Sequence, residues 1–225
     1  MKPSYYRTKA PQIKQETFTA ELAWGAAVTA QRINGRYIKV DLPVGDGEEP
    51  LKTSRSIMLD ALAHPEKITE QDIAQGIECR KTLANHSTLS ALKGELSEWE
   101  QTVAGVCSKD TFQKMYDLSV LASLPNTYEK YLKREEAKQV LANCEHQAVG
   151  KVGESVKLTA RVVSAGYSQK YDTWYVSTVT PDNRAVYFAY REAIAVDSEI
   201  EFSGKVKAFR DTITQLSRVK LVTKE

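Results

Sequence analysis

Val156-Lys157-Leu158-Thr159-Ala160-Arg161-Val162 alternates apolar and polar residues without a break. Side chains of a β-strand point to opposite faces in turn, so this pattern predicts a strand with one face buried. Four further segments follow the same logic. Thr173–Thr180 is rich in β-branched and aromatic residues, and Ala185–Tyr190 repeats that texture. Ile200, Phe202, Val206 and Ala208 alternate in a fourth strand, where Gly204 predicts a bulge or sharp bend. Ile213–Val222 makes a fifth. Between them lie a polar loop, Gly166–Asp172, the turn Pro181-Asp182-Asn183, a connector Arg191–Ser198 with room for one helical turn, and the turn Asp211-Thr212. Five strands with the longer connection after the third match the order of an OB-fold. Strand number alone also fits an SH3-like barrel or a small sandwich.

Upstream of Gly150 the spacing is helical. Thr17–Ile33 predicts a helix with an apolar stripe of Leu22, Ala26 and Ala30, stopped by Asn34-Gly35. Arg36–Val40 reads as a short strand or arm, and Pro43–Pro50 as a loop. Helices are expected over Ser54–Ala63, from Thr69 (with Asp72 three residues on approximating a capping box, whose usual partner is Glu or Gln), over Ser87–Ala104, and from Ser108 to Leu121. Pro125 breaks the chain, and Asn126 opens a last, polar helix to Leu141, with Tyr128, Leu132 and Val140 on one side. The fold class is therefore α+β: an N-terminal all-α region, residues 1–147, followed by a C-terminal five-stranded OB-like β-barrel, residues 148–225.

The 42% hydrophobic and 27% charged fractions belong to an ordinary globular protein. The net charge of +2 is no polycation, so any polyanion must be met locally. Residues 1–147 carry 19 Lys and Arg against 20 Asp and Glu; the remainder carries 12 against 9, which puts the excess in the strand region. The polar, basic stretch Met1–Thr17 is unlike a secretory signal, and no run of about 18 apolar residues occurs. A soluble, cytoplasmic protein is expected. Cys79, Cys107 and Cys144 are widely spaced, without a CxxC pair, and are expected to be reduced thiols.

Tyr171-Asp172-Thr173, Gly204-Lys205-Val206-Lys207 and Thr214-Gln215-Leu216-Ser217-Arg218-Val219-Lys220, with Gly153-Glu154 at the entry, form a further pattern. Together they resemble the C-terminal OB-like domain of several bacteriophage replication and single-stranded-DNA-binding proteins. The resemblance covers about the last third of the chain. It implies an accessory protein of phage replication, recombination or transcription, acting in the host cytoplasm. The helical region resembles no family; it would recruit a polymerase, a helicase or another copy.

A single strand offers phosphates to Lys and Arg and flat bases to aromatic rings. Residues that supply both are Lys157 and Arg161 on the first strand, and Tyr167, Lys170 and Tyr171 at the first loop. Lys205, Lys207, Phe209 and Arg210 follow on the fourth strand, with Gln215, Arg218 and Lys220 on the fifth. Phe209 is expected on the face of the two lysines. Tyr175 and Tyr187 complete the candidates, although they and Tyr190 change face with one residue of register. Trp174 and Phe188 read as core. Arg32, Arg36, Tyr37 and Lys39 form a smaller basic-aromatic patch. Catalysis has little support: His64, His86 and His146 stand near no paired acid or cysteine, and no phosphate-binding loop or dinucleotide motif occurs. No cofactor, metal or membrane partner is expected. The alternative is a protein-interaction or structural subunit of a viral complex, the barrel binding a protein instead.

Overall fold

A computed structural model describes residues 16–42 and 50–222; the loop expected at Pro43–Pro50 lies almost wholly outside them. The chain divides between Lys130 and Tyr131 into two compact units.

In the first unit, Thr19 caps α1 (Ala20–Asn34), and Gly35 closes it in the left-handed conformation at φ 65°. This helix is not a one-sided stripe. Ala20 and every residue from Ala23 to Gln31 are buried, because α2 (Ser54–Ala63) and α3 (Glu70–Leu92) both pack on it. Small residues make this possible: a Cβ added at Gly76 of α3 would lie 2.8 Å from the Trp24 backbone carbon. The remaining elements are a two-residue ladder of β1 (Phe18–Thr19) with β2 (Thr111–Phe112), a 3-10 turn (Pro65–Lys67), then α4 (Glu98–Cys107), α5 (Met115–Leu121) and the start of α6 (Leu124–Ala142), whose residues from Tyr131 onward belong to the second unit.

Several boundaries differ from the sequence reading. Helix α3 continues through Ser87 to Leu92, and a new start at Ser97, boxed with Glu100, opens α4. Ser108 ends α4 instead of starting a helix. Pro125 lies in the first turn of α6, where its missing N–H removes no helical bond. Ala137 is buried there, while Leu132 is 44% exposed. Arg36–Val40 forms no strand; Leu42 instead bridges Leu51.

The second unit contains β3 (Ser155–Ser168), β4 (Thr173–Val179), β5 (Ala185–Tyr190), β6 (Glu199–Arg210) and β7 (Ile213–Leu221). They close into a barrel in the order β3-β4-β5-β7-β6, with β6 returning to β3. All neighbours are antiparallel except β5 and β7, which run parallel. That is an OB-like order. Strand β3 serves both sides, pairing β6 through Arg161 and β4 from Arg161 onward. A bulge at Val163 bends it just inside the β4 ladder. Ala160, Val162, Val176, Val186, Phe188, Phe202, Val206 and Leu216 fill the interior. Residues 191–198 contain bends and a turn but no helix. The link before β3 is fastened to the β4–β5 turn: Asn183 Nδ2 donates to Asn143 O (3.0 Å), and Glu145 N donates to Asn183 O (2.8 Å).

Gly204 lies at a break in the β6–β7 register, where a bulge is expected. It is buried opposite Val156, and an added Cβ would come within 3.1 Å of Val219 and 3.2 Å of Leu216. The β6–β7 ladder shifts register twice: at Gly204, which faces both Arg218 (φ 55°) and Val219 on β7, and at Lys207, the extra residue on β6.

Candidate nucleic-acid interface

Interior residues fix which face every other residue takes. Val176 and Val186 are fully buried, so Tyr175 and Tyr187 point outward. They occupy diagonal positions on β4 and β5 and stack, with ring centroids 5.8 Å apart and planes 7° from parallel. Their surroundings are small. Tyr175 lies between Gly166 on β3 and Ala189 on β5, and Tyr187 between Ser177 on β4 and Gln215 on β7. A Cβ at Gly166 would meet no atom within 4 Å, so this part of the wall is open. Burial raises the Tyr187 phenol above its ordinary value, and Tyr175 adds to the effect. The ring is uncharged at neutral pH and suited to stacking on a planar base.

The loop between β3 and β4 borders this wall. Lys170 stands over the Tyr171 ring, 5.2 Å from its centroid. Tyr167 donates to Asp172 at 2.5 Å, a bond that raises the Tyr167 pKa. The Tyr167 ring also leans on Trp174 at 5.4 Å. Tyr167 and Tyr171 are 49% and 61% exposed, and Asp172 sustains the bend at φ 47°. Trp174 and Tyr190 face the interior row and pack on the core; Phe188 is buried there. Arg210 stands at the other end of the wall, beside the turn Asp211-Thr212.

The predicted residues do not form one surface. Lys205, Lys207, Arg218 and Lys220 are exposed on the β6–β7 side of the barrel. Lys157 and Arg161 lie on the β3–β6 side, each against a carboxylate: Lys157 Nζ is 2.6 Å from Glu201, and Arg161 is 3.3 Å from Asp197. Phe209 does not share a face with Lys205. The bulge at Lys207 reverses the alternation and sets Phe209 opposite Thr214, which is buried in the interior row; Phe209 rests at the barrel's end, 40% exposed.

In the helical unit, Arg32 is held by Asp72 through two bonds of 2.9 Å, which removes it from the smaller basic patch. Two histidines do stand beside acids: His64 Nδ1 is 3.2 Å from Asp60, and His86 is 3.7 Å from Glu100. Burial pushes Cys79 up to about 12 and Cys107 to about 11, so both remain thiols. Among the described residues, no group of three or more His, Cys, Asp or Glu could hold a metal ion, and no helix is long and apolar enough to cross a membrane.

Gly166, Ser177 and Ala189, which leave the tyrosine rings uncovered, carry no mark in the sequence; only the strand register sets them beside the rings. The chain matches no protein-family model, and neither a curated protein nor a solved structure is significantly similar to it.

Proposed function

We propose that the barrel binds single-stranded DNA with little regard to sequence and that the protein acts as a non-catalytic accessory factor in DNA metabolism. The observation that carries this reading is the stacked pair Tyr175–Tyr187, outward on β4 and β5 among small residues. In OB-folds, the face of the second and third strands, with the loops before the second and fifth, takes oligonucleotides. Here those strands are β4 and β5. The first of these loops supplies Lys170 and Tyr171 at one end, and Arg210, the last residue of β6 before the second, stands at the other. Rings stack on any base, and the cations answer the phosphates, so recognition is sequence-tolerant and weakened by salt.

Fluorescence anisotropy with labelled single-stranded and duplex DNA of equal length, at low and moderate salt, tests the reading. Preference for the single strand, falling as salt rises, supports it. Equal or absent binding to both overturns it and leaves a protein ligand as the use of this wall.

A further inference from the structure

The four cations on the β6–β7 side are unexplained by the tyrosine wall. Strand β6 is polarised along its length: Glu199 and Glu201 come first, and Lys205, Lys207 and Arg210 last. The acidic half faces β3, where Lys157 meets Glu201 and, near Glu199, Arg161 meets Asp197. The basic half has no such partner. Lys205 lies between Ser155 and Ser217, and Lys220 lies opposite Ser203. Among the described residues, Lys205, Lys207, Arg218 and Lys220 make no ion pair.

Backbone geometry points to the same four. One irregularity in the β6–β7 ladder falls on Lys207, and the other, opposite Gly204, takes in Arg218 and Val219. Bulges re-aim side chains and are common beside functional sites. Arg218 holds φ 55°, a conformation that glycine adopts without cost and a long side chain does not. A cation kept in a strained position amid unneutralised cations indicates an anionic ligand.

We infer that the β6–β7 wall is a phosphate track for the same single strand that stacks on Tyr175 and Tyr187, reached by wrapping across β7. This inference rests on the proposed DNA binding. Strand β7 separates the two walls, and its outward Gln215 and Ser217 are uncharged and short enough to be crossed. The distance along the surface is two strand spacings, about 10 Å. Because the barrel is closed, its wall turns at every strand, and Tyr187 and Lys205 face different directions. A rigid duplex cannot follow that turn, whereas a flexible single strand can.

The test uses the full chain with oligothymidines of about 5 and about 16 nucleotides, within the range of OB-fold site sizes. The short one covers the tyrosine wall alone. The variant K205Q/K207Q/K220Q/R218G removes the track, and glycine suits the backbone at position 218. Wild-type protein should show a steeper salt dependence on the long oligonucleotide. The variant should lose that excess, up to about 0.7 in logarithmic slope per lost contact, and bind the long oligonucleotide about tenfold or more weaker at low salt. Binding of the short one should not change. Equal slopes for both lengths in the wild type, or a variant that loses nothing or weakens on both alike, overturns the track. The wild-type comparison decides the matter alone if circular dichroism shows the variant misfolded. Failure of wild-type protein to bind either length means that the DNA-binding reading itself is wrong.

Discussion

Tyr175 and Tyr187 stack on the outside of the barrel at 5.8 Å, although neither is an immediate cross-strand partner of the other. Tyr175 pairs with Ala189 and Tyr187 with Ser177, so each ring leans over a small residue toward the other. The pair behaves as one platform. Replacing either tyrosine by alanine should weaken binding of single-stranded DNA by about 1–3 kcal/mol, the usual worth of a base–aromatic contact. The double variant should lose less than the sum, because each single variant already breaks the platform. Phenylalanine at both positions should retain most of the affinity. A double alanine variant with wild-type anisotropy titrations would remove this wall from the site.

The turn between β6 and β7 carries two residues at positive φ, Asp211 at 49° and Thr212 at 83°. Two-residue hairpin turns of this kind favour Asn-Gly, and a β-branched residue in that region is strained. Thr212→Gly should therefore stabilise the barrel by about 1 kcal/mol, read as a higher urea midpoint. An unchanged or lower midpoint would mean that the threonine is not under strain there.

The barrel was legible because a period of two extends over most of five strands, and because turn residues separate them. The tyrosine wall was legible as a set of residue types but not as a place. One residue of register decides whether Tyr175 points in or out, and only the burial of Val176 and Val186 settles it; the bulges at Val163 and Lys207 carry no sequence mark, whereas Gly204 marks the third. The same bulges explain why Phe209 left the lysine face. Nor could alternation reveal that Glu201 and Asp197 satisfy Lys157 and Arg161, since Asp197 lies in a loop. In the helical unit, Ser87 and Ser108 read as helix starts. Local chemistry at a serine is the same whether or not the preceding helix is packed tightly enough to continue through it.

Glycines give a graded test of the helical core. At Gly76 a Cβ would press on the backbone of Trp24 at 2.8 Å, and backbone cannot yield; Gly76→Ala should cost about 1–3 kcal/mol by overpacking. At Gly25 the nearest atoms are side-chain carbons of Ile68 and Ile73 at 3.0 Å, which can shift, so the same change should cost less. Gly105, inside α4, meets nothing within 4 Å, and Gly105→Ala should stabilise by about 0.5–1 kcal/mol through helix propensity. Urea melts followed at 222 nm should rank the variants Gly105→Ala, wild type, Gly25→Ala, Gly76→Ala, from most to least stable. A Gly76→Ala variant no less stable than Gly25→Ala would contradict the close α1–α3 packing.

Asp72 gives the helical unit a definite response to acid. Burial pushes its carboxyl up, but hydrogen bonds from Arg32, from the backbone and hydroxyl of Thr69, and from Thr29 outweigh that effect and hold it at about 2. An unfolded aspartate titrates near 3.9, so the folded state binds the proton more weakly than the unfolded state. The contribution to stability is therefore complete above about pH 5 and fades as pH falls through 4 toward 2; it amounts to about 2 kcal/mol. Asp72→Asn keeps the shape and removes the titration, but it loses the Arg32 ion pair. It should lower stability at pH 7 and flatten the decline between pH 5 and 2. Urea midpoints of the two proteins, measured across that interval, should converge as the pH falls. Parallel curves would show that Asp72 is not the group responsible.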